Sequence, residues 1–274
     1  MRYYKDYQLE YADCGESGQL KLPRMIDLMM ESSERQLAPT LGGASAMKER
    51  GRGWVVTQYE FEFTSLPRAG QKVRVWTEAV GYNRFLSYRD FGIEDEAGKD
   101  LVIAHSQWVL FDLKSRKLLP SDDKIAEELG APLLAKMPRF KKLRPKDDYK
   151  DEKVYRAYYY DLDSNHHVNN AHYLDWIVDS LPRDFINSHE QKDLAIKFEK
   201  EIKYGDEVAC QVMQETEDSA VKTCHAITRQ GELMALCEVN WQKMCFKTGK
   251  KCALIETDSV VFVKPFLGGQ SCEK

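Results

Sequence analysis

The chain repeats one order of predicted elements twice, and this repetition limits its fold more than any other feature. A strand pattern over residues 3–11 precedes an amphipathic helix over residues 22–38, and four strands follow. A strand over residues 154–160, a helix over residues 171–181 and four further strands restate that order. Because one antiparallel sheet curved around one long helix accounts for each copy, we predict a duplicated α+β protein.

The strands after each helix fall at matching places. They are predicted over residues 54–64, 72–80, 85–94 and 101–112, and again over 193–203, 207–215, 220–228 and 233–246. Aligned by eye, residues 61–64 and 70–73 lie over residues 198–201 and 205–208. The predicted division is a first half at 1–114, a connector at 115–151 and a second half at 152–274. The connector contains four prolines and one predicted short helix at 124–129, so we expect it to pack over the surface or to meet a partner.

Composition excludes several classes of protein. A net charge of -4 argues against a nucleic-acid partner, and 43% hydrophobic residues provide ample core material. No apolar run is long enough for a membrane span, and the amino terminus lacks the pattern of a secretory signal. The seven cysteines are odd in number and include no C-x-x-C pair, which favours free thiols in a reducing cytoplasm.

The polar segment at residues 161–170 carries the chemistry. Asp163, Asn165 and His167 alternate, so in an extended loop their side chains would project from one side. Val168 and Asn169 are predicted to begin the helix, where free backbone N–H groups favour a developing negative charge. A base, an amide and an oxyanion site within a few residues indicate hydrolysis of an acyl group.

The two halves differ at these places. In the alignment Asp163 faces Gly15, Asn165 faces Ser17, His167 faces Gln19 and Glu201 faces Thr64. Because the first half has no acid or base at any of them, we predict one active site, in the second half. An unperturbed histidine side chain suits general-base catalysis, so His167 is the candidate base, and either Asn165 or Glu201 could fix its tautomer.

Other readings of this segment are weaker. Asp163 and Asn165 are also common in turns, and Asn169 or Asn170 could simply cap a helix. A calcium loop would need a glycine where His166 stands, and a zinc site on the neighbouring histidines has no cysteine nearby. Gly-x-Ser-x-Gly, phosphate-loop and dinucleotide motifs are absent from the sequence, and no metal or cofactor is predicted.

Two further sets of residues have a structural and a functional interpretation. Met25, Met29 and Met30 on the first helix are either ordinary core or a flexible lining for a long acyl chain, to which Trp54 could add. A basic run in the connector is either a solvated segment or a docking surface for an acidic partner. That run comprises Lys136, Arg139, Lys141, Lys142, Arg144 and Lys146.

Residues 161–177 resemble the D-x-N-x-H-V-N-N-x-x-Y signature of the acyl-acyl-carrier-protein thioesterases almost position for position. Gly53-Trp54 and the two-half plan support the resemblance over nearly the whole chain. It implies two tandem hotdog halves, the first binding the acyl chain and the second catalytic. It also implies, as substrate and partner, an acyl carrier protein whose phosphopantetheine arm bears a fatty acyl thioester.

The resemblance implies catalytic roles for residues matching Asp163, Asn165, His167 and Glu201. Plant relatives usually carry a cysteine where Ile202 stands, so a cysteine nucleophile is excluded here. Our hypothesis is that Glu201 and His167 activate a water, Asn165 orients the imidazole, and N–H groups at Val168 and Asn169 hold the oxyanion. Asp163 either positions the acyl carbonyl or attacks it directly.

Three rival functions share this architecture: an acyl-CoA thioesterase, a non-catalytic module that binds acyl chains or carrier proteins, and a dehydratase. Neither the preferred acyl chain length nor the choice between monomer and homodimer follows from the sequence.

Overall fold

Eleven strands form one antiparallel sheet in the computed structural model, which describes residues 1–217 and 220–244. The strands are β1 (Tyr3–Gln8), β2 (Arg52–Phe63), β3 (Lys72–Tyr82), β4 (Leu86–Glu94), β5 (Asp100–Asp112), β6 (Lys117–Leu119), β7 (Asp151–Arg156), β8 (His189–Phe198), β9 (Glu207–Glu217), β10 (Ala220–Arg229) and β11 (Glu232–Lys243). Their order is β1-β3-β4-β5-β2-β8-β11-β10-β9-β7, with β6 paired to β5. Outward from the central β2–β8 pair, the strands β5, β4, β3 and β1 on one side correspond to β11, β10, β9 and β7 on the other. This correspondence confirms the predicted duplication.

In the described residues, five α-helices and two single-turn 3-10 helices, at Tyr11–Asp13 and Tyr159–Asp161, accompany the sheet. The numbered helices are the α-helices. They are α1 (Leu22–Leu37), α2 (Ala44–Glu49), α3 (Asp123–Leu129), α4 (Asn170–Asp179) and α5 (Arg183–Ser188). The predicted positions of α1, α3 and α4 are confirmed to within a residue or two, whereas the short β6, α2 and α5 were not predicted. In the described part of the chain, no helix combines the length and the apolar character needed to cross a bilayer.

The two faces of the sheet are covered by different parts of the chain. Tyr59, Phe61, Leu194 and Ile196 point from the central strands into the main hydrophobic core, which they share with α1 and α4. The residues adjacent to them in each strand point to the opposite face of the sheet, because side chains alternate along a strand. There the connector crosses the sheet: Leu143 packs against Ala195, Ala226 and Leu236, and the Gln58 side-chain amide donates to the Lys141 carbonyl at 2.9 Å. The expectation that the connector packs over the surface is confirmed.

The cysteines that the structure describes are buried and free, namely Cys14, Cys210, Cys224 and Cys237. Cys245, Cys252 and Cys272 lie outside the described residues, as does the predicted end of the last strand at Phe246. β8 was predicted to continue to Lys203 but ends at Phe198. It ends early because the N–H groups of Glu199 and Lys200 both donate to the Met234 carbonyl, which bends the chain away from β11.

A buried histidine in β10 gives a testable pH dependence. His225 is 1% exposed, with Nε2 2.9 Å from the Thr223 hydroxyl, and burial lowers its pKa to about 3. In the unfolded chain a histidine titrates near 6.5. Between these pH values the unfolded state binds a proton that the native state does not, so this residue makes stability fall as pH falls below about 6.5.

We therefore expect the wild type to lose roughly 2–3 kcal/mol more unfolding free energy than His225→Gln between about pH 7 and about pH 4.5. Urea denaturation of both proteins at both pH values measures the difference. Because each protein is compared with itself, any stability that the substitution removes at all pH values cancels. Equal losses in the two proteins would contradict a neutral buried His225.

Candidate active site

The residues 162–168 form a tight hairpin, so the predicted extended loop is wrong. Leu162 pairs with Val168, and the Asp163 N–H donates to the His167 carbonyl at 2.9 Å. The His166 N–H donates to the Asp163 carbonyl at 3.1 Å, and His166 adopts the left-handed conformation with φ of 66°. The turn closes because Asp163 accepts from its own loop, which is the property that makes aspartate common in turns.

The first half contains the same hairpin without the chemistry. Cys14 pairs with Leu20, and the Gly15 N–H donates to the Gln19 carbonyl at 2.8 Å. Gly18, with φ of 73°, takes the left-handed position that His166 holds in the second half. The matches of Asp163 with Gly15 and of His167 with Gln19 are therefore confirmed by backbone geometry.

Glu201 reaches the hairpin from a loop and not from a strand, which corrects the prediction. It lies three residues beyond the end of β8, between β8 and β9. The Val168 N–H donates to the Ile202 carbonyl at 2.9 Å, and His167 pairs with Lys203 across the same contact. This short antiparallel pairing brings Glu201 beside His167.

The first-half counterpart of Glu201 also differs from the predicted one. In the first half, the Leu20 N–H donates to the Pro67 carbonyl at 2.8 Å, as Val168 does to Ile202. Pro67 therefore matches Ile202, and Leu66, not Thr64, matches Glu201. The sequence alignment of the two halves was therefore wrong by two residues at this place, because similar aromatic and acidic residues occur near the ends of β2 and β8. An acid is missing from the first half at this place in either alignment.

The four predicted catalytic residues lie in two contacting pairs, one joined by an ion-pair contact and one by hydrogen bonds. The His167 Nε2 lies 3.1 Å from the Glu201 Oε2. Asn165 donates its backbone N–H to the Asp163 Oδ1 at 2.8 Å and its side-chain amide to the Asp163 Oδ2 at 3.2 Å. The hypothesis that Asn165 orients the imidazole is not supported, because the Asn165 amide is engaged by Asp163 and the carboxylate beside the imidazole is that of Glu201. A carboxylate only accepts, so this contact favours the tautomer with the proton on Nε2, in which Nδ1 is the accepting nitrogen.

An arginine that the sequence did not single out completes this cluster. The Arg116 guanidinium donates through Nη2 to the Glu201 Oε2, the oxygen that also meets His167. Arg116 lies between β5 and β6, at the start of the connector. Its one sequence signal is the basic turn Lys114-Ser115-Arg116-Lys117, which gives no indication of where the turn points.

The predicted oxyanion donors are already occupied. The Val168 N–H is bonded to the Ile202 carbonyl, and the Asn169 N–H to the Asp161 carbonyl at 2.8 Å. Asn169 is the N-cap of α4 and does not begin the helix, so the prediction is wrong for both residues. Within the described residues, the Asn170 N–H is the first donor of the helix that neither a carbonyl nor a side chain engages.

A second histidine lies in the first turn of α4. The His172 Nδ1 is 3.0 Å from the Asp175 Oδ2, and this hydrogen bond raises the pKa of His172. The Asp27 carboxyl of α1 lies near His172, and burial raises the pKa of this carboxyl. His167 and His172 thus contact different carboxylates, those of Glu201 and Asp175.

Comparisons with known proteins match both halves of the chain to domains of one family. Residues 1–129 match the acyl-ACP thioesterase N-terminal domain, and residues 144–243 match the C-terminal domain of the same family. The chain belongs to the acyl-ACP thioesterase family. The C-terminal match contains Asp163, Asn165, His167 and Glu201, and the boundary between the two matches falls within the connector.

Several members of this acyl-ACP thioesterase family are similar in sequence or in structure. A chloroplastic palmitoyl-acyl carrier protein thioesterase of Gossypium hirsutum is 30% identical over 177 residues, which is 60% of this chain and 42% of that protein. A Lactobacillus plantarum structure described as an oleoyl thioesterase is 28% identical with a TM-score of 0.85, covering 89% of this chain and 97% of the other. The 12:0-ACP thioesterase from Umbellularia californica is 19% identical with a TM-score of 0.76, covering 89% and 98%. The match with the cotton protein thus spans less than half of that relative, and the solved structures establish the double hotdog fold.

The predicted acyl-lining residues of this family member fall in two places. Met25 and Met29 are almost fully buried in the main core, and Met30 packs against it from a half-buried position. Trp54 does not join them, because it packs against a separate cluster that contains Met47. The structure therefore brings together the three methionines but not the tryptophan.

The predicted docking residues lie on the connector, on the sheet face opposite α1 and α4. The Lys141 ammonium is paired with Glu238 at 3.0 Å, so its charge is already compensated. Lys146 is half-buried, with its ammonium 3.6 Å from the Glu215 carboxylate. The other residues of the run, Lys136, Arg139, Lys142 and Arg144, are all exposed. A docking role for this surface stays a prediction.

Proposed function

We propose that this chain hydrolyses the thioester of fatty acyl-acyl carrier protein, which releases a free fatty acid and terminates fatty acid synthesis. The observation that carries the proposal is the His167–Glu201 pair beside the Asp163–Asn165 pair, in the half that matches the family's C-terminal domain. The degenerate hairpin of the first half lacks all four groups, so catalysis is assigned to the second half.

In the proposed mechanism, His167 Nδ1 removes a proton from water while Glu201 holds the opposite ring nitrogen. The water oxygen attacks the acyl carbonyl carbon, and the resulting tetrahedral oxyanion accepts hydrogen bonds. Asn165 has one side-chain amide hydrogen left after its bond to Asp163, and the Asn170 N–H is a second donor. Collapse then breaks the carbon–sulfur bond, and the proton on His167 passes to the departing thiolate.

The acyl chain is assigned to the boundary between α1 and the central strands. The Tyr59 hydroxyl is 3.6 Å from the Met30 sulfur, and the Tyr59 ring meets Phe198 at 6.2 Å between centroids. The Phe198 ring in turn lies 5.1 Å from the Tyr173 ring between centroids. The Tyr173 hydroxyl donates to the carbonyl of Lys200, the residue before Glu201. These packed contacts form an aromatic wall from Met30 to the site, and we propose that the fatty acyl chain lies along it. Met30 and Tyr59 belong to residues 1–114, which supports acyl binding there, whereas Phe198 and Tyr173 come from the half at residues 152–274 to which catalysis is assigned.

The proposed partner is a carrier protein that docks through charge, with the exposed connector residues Lys136, Arg139, Lys142 and Arg144 as the first candidates. A cytoplasmic location is proposed from the free thiols of the described cysteines, although the plant relatives are chloroplastic. Both a monomer and a homodimer are compatible with these assignments.

The test is incubation with a ladder of acyl-carrier proteins from octanoyl to oleoyl, with measurement of the free acids released. We expect kcat/KM on acyl-carrier protein to exceed that on the matching acyl-CoA and to fall by about tenfold from low to moderate salt, because protein docking by charge is screened. Reversing the charges of Lys136 and Lys142 should remove most of that salt dependence.

Each rival function predicts a different result. A preference for acyl-CoA without salt dependence would indicate an acyl-CoA thioesterase. Binding without release of free acid would indicate a non-catalytic module, and dehydration of hydroxyacyl substrates would indicate a dehydratase. Any of these would contradict the proposed function.

A further inference from the structure

Two side chains converge on one carboxylate oxygen of Glu201. The Arg116 guanidinium and the His167 imidazole both contact Oε2, the imidazole at 3.1 Å. Glu201 and His167 belong to the second half, whereas Arg116 comes from the hairpin between β5 and β6, at the start of the connector and within the match to the family's N-terminal domain. The cluster therefore joins residues from both domain matches.

Hydrogen bonds within this hairpin fix the backbone conformation at Arg116. Asp112 pairs with Lys117 across the strands, accepts the Ser115 N–H at 2.6 Å through its side chain, and accepts the Arg116 N–H at 2.9 Å through its carbonyl. Arg116 has φ of 56°, a left-handed conformation that residues other than glycine adopt infrequently. Strained conformations of this kind persist where the surrounding structure fixes them, and they concentrate at functional sites.

We propose that Arg116 is a positioning residue for catalysis: it fixes the Glu201 carboxylate, which in turn fixes the His167 imidazole. The inference rests on the proposed function. A planar guanidinium restricts a carboxylate more than an ammonium does, because its donors lie in one fork. Arg116 and Glu201 are 53% and 32% exposed, and pairs this exposed contribute little to stability. The contribution of Arg116 is therefore to geometry more than to folding.

The chain offers a matched control on the other side of the pseudo-symmetric molecule. Arg183 of α5, in the second half, donates two hydrogen bonds to Glu16 in the degenerate hairpin of the first half. This pair also joins the two halves and is more exposed, at 73% and 58%. It contacts the hairpin that lacks catalytic groups.

The experiment compares Arg116→Gln with Arg183→Gln, using palmitoyl- and oleoyl-carrier protein as substrates. We expect Arg116→Gln to lower kcat by about 10–100-fold with KM within about twofold, because the base is misplaced and substrate contacts are kept. Arg116→Lys should recover part of kcat, and Arg183→Gln should match the wild type. In a Glu201→Gln background, Arg116→Gln should have no further effect, since it acts through that carboxylate.

Several results would overturn the positioning role. A rise in KM at unchanged kcat would mean that the guanidinium contacts the substrate. Equal losses in Arg116→Gln and Arg183→Gln would mean that both pairs only join the halves, and additive losses with Glu201→Gln would mean independent action. If His167→Ala and Glu201→Gln keep wild-type activity, the proposed site fails. If they are inactive while Arg116→Gln is unchanged, only the positioning role fails.

Discussion

Replacing His167 with alanine is expected to lower kcat/KM on acyl-carrier protein by about 10²–10⁴-fold, the usual contribution of a positioned general base. The substitution removes the Nδ1 lone pair and leaves Glu201 without the imidazole it holds at 3.1 Å. Steady-state release of free fatty acid measures the loss. Substrate binding should persist, because the aromatic wall at Tyr59 and Phe198 is untouched.

Gln19→Ala is the matched control for this substitution. Gln19 occupies the place of His167 in the degenerate hairpin, where its carbonyl accepts the Gly15 N–H at 2.8 Å as the His167 carbonyl accepts the Asp163 N–H. Both variants keep those backbone bonds, so similar melting temperatures are expected, and His167→Gln provides a longer side chain should alanine destabilise the hairpin. Near wild-type activity in His167→Ala, or an equal loss in Gln19→Ala, would contradict the site assignment.

The fold was predictable because its signals are local. Strand alternation and helical periodicity occupy short windows, and the duplication doubles each observation, so β1 and α1 support the assignments of β7 and α4. The elements that were missed, β6, α2 and α5, are too short to show a period. The end of β8 was misplaced because its cause, two N–H groups sharing the Met234 carbonyl, is a contact between distant parts of the chain.

The site was predictable only in part, for the same physical reason. Asp163, Asn165 and His167 lie within one hairpin, so their proximity follows from the sequence. Glu201 was singled out by comparing the two halves, through a local alignment that was wrong by two residues, and the family resemblance then implied its catalytic role. Its neighbour Arg116 lies 85 residues earlier in the chain. The predicted oxyanion donors failed because an N–H that looks free at a helix start can be bonded to a carbonyl that no local pattern reveals.

The second large effect is expected at Asp163. Both of its carboxylate oxygens accept hydrogen bonds from Asn165, at 2.8 Å and 3.2 Å. In Asp163→Asn an amide nitrogen replaces one of these acceptors, so two donors face each other and the Asn165 amide loses its orientation. If that amide binds the oxyanion, kcat should fall by about 10²–10³-fold, the usual effect of removing one such donor, and a measurable rate should remain.

The residual rate separates this role from direct attack by Asp163. A nucleophilic carboxylate would form a mixed anhydride with the acyl group, and its amide replacement would leave no turnover above the uncatalysed rate. We expect Asp163→Asn to keep roughly 0.1–1% of wild-type kcat. We also expect a single wild-type turnover in ¹⁸O-labelled water to leave the peptide containing Asp163 unlabelled and without an acyl adduct. Label or adduct on that peptide, or complete inactivity of Asp163→Asn, would replace water attack with covalent catalysis, because the positioned carboxylate would then supply the attacking oxygen itself.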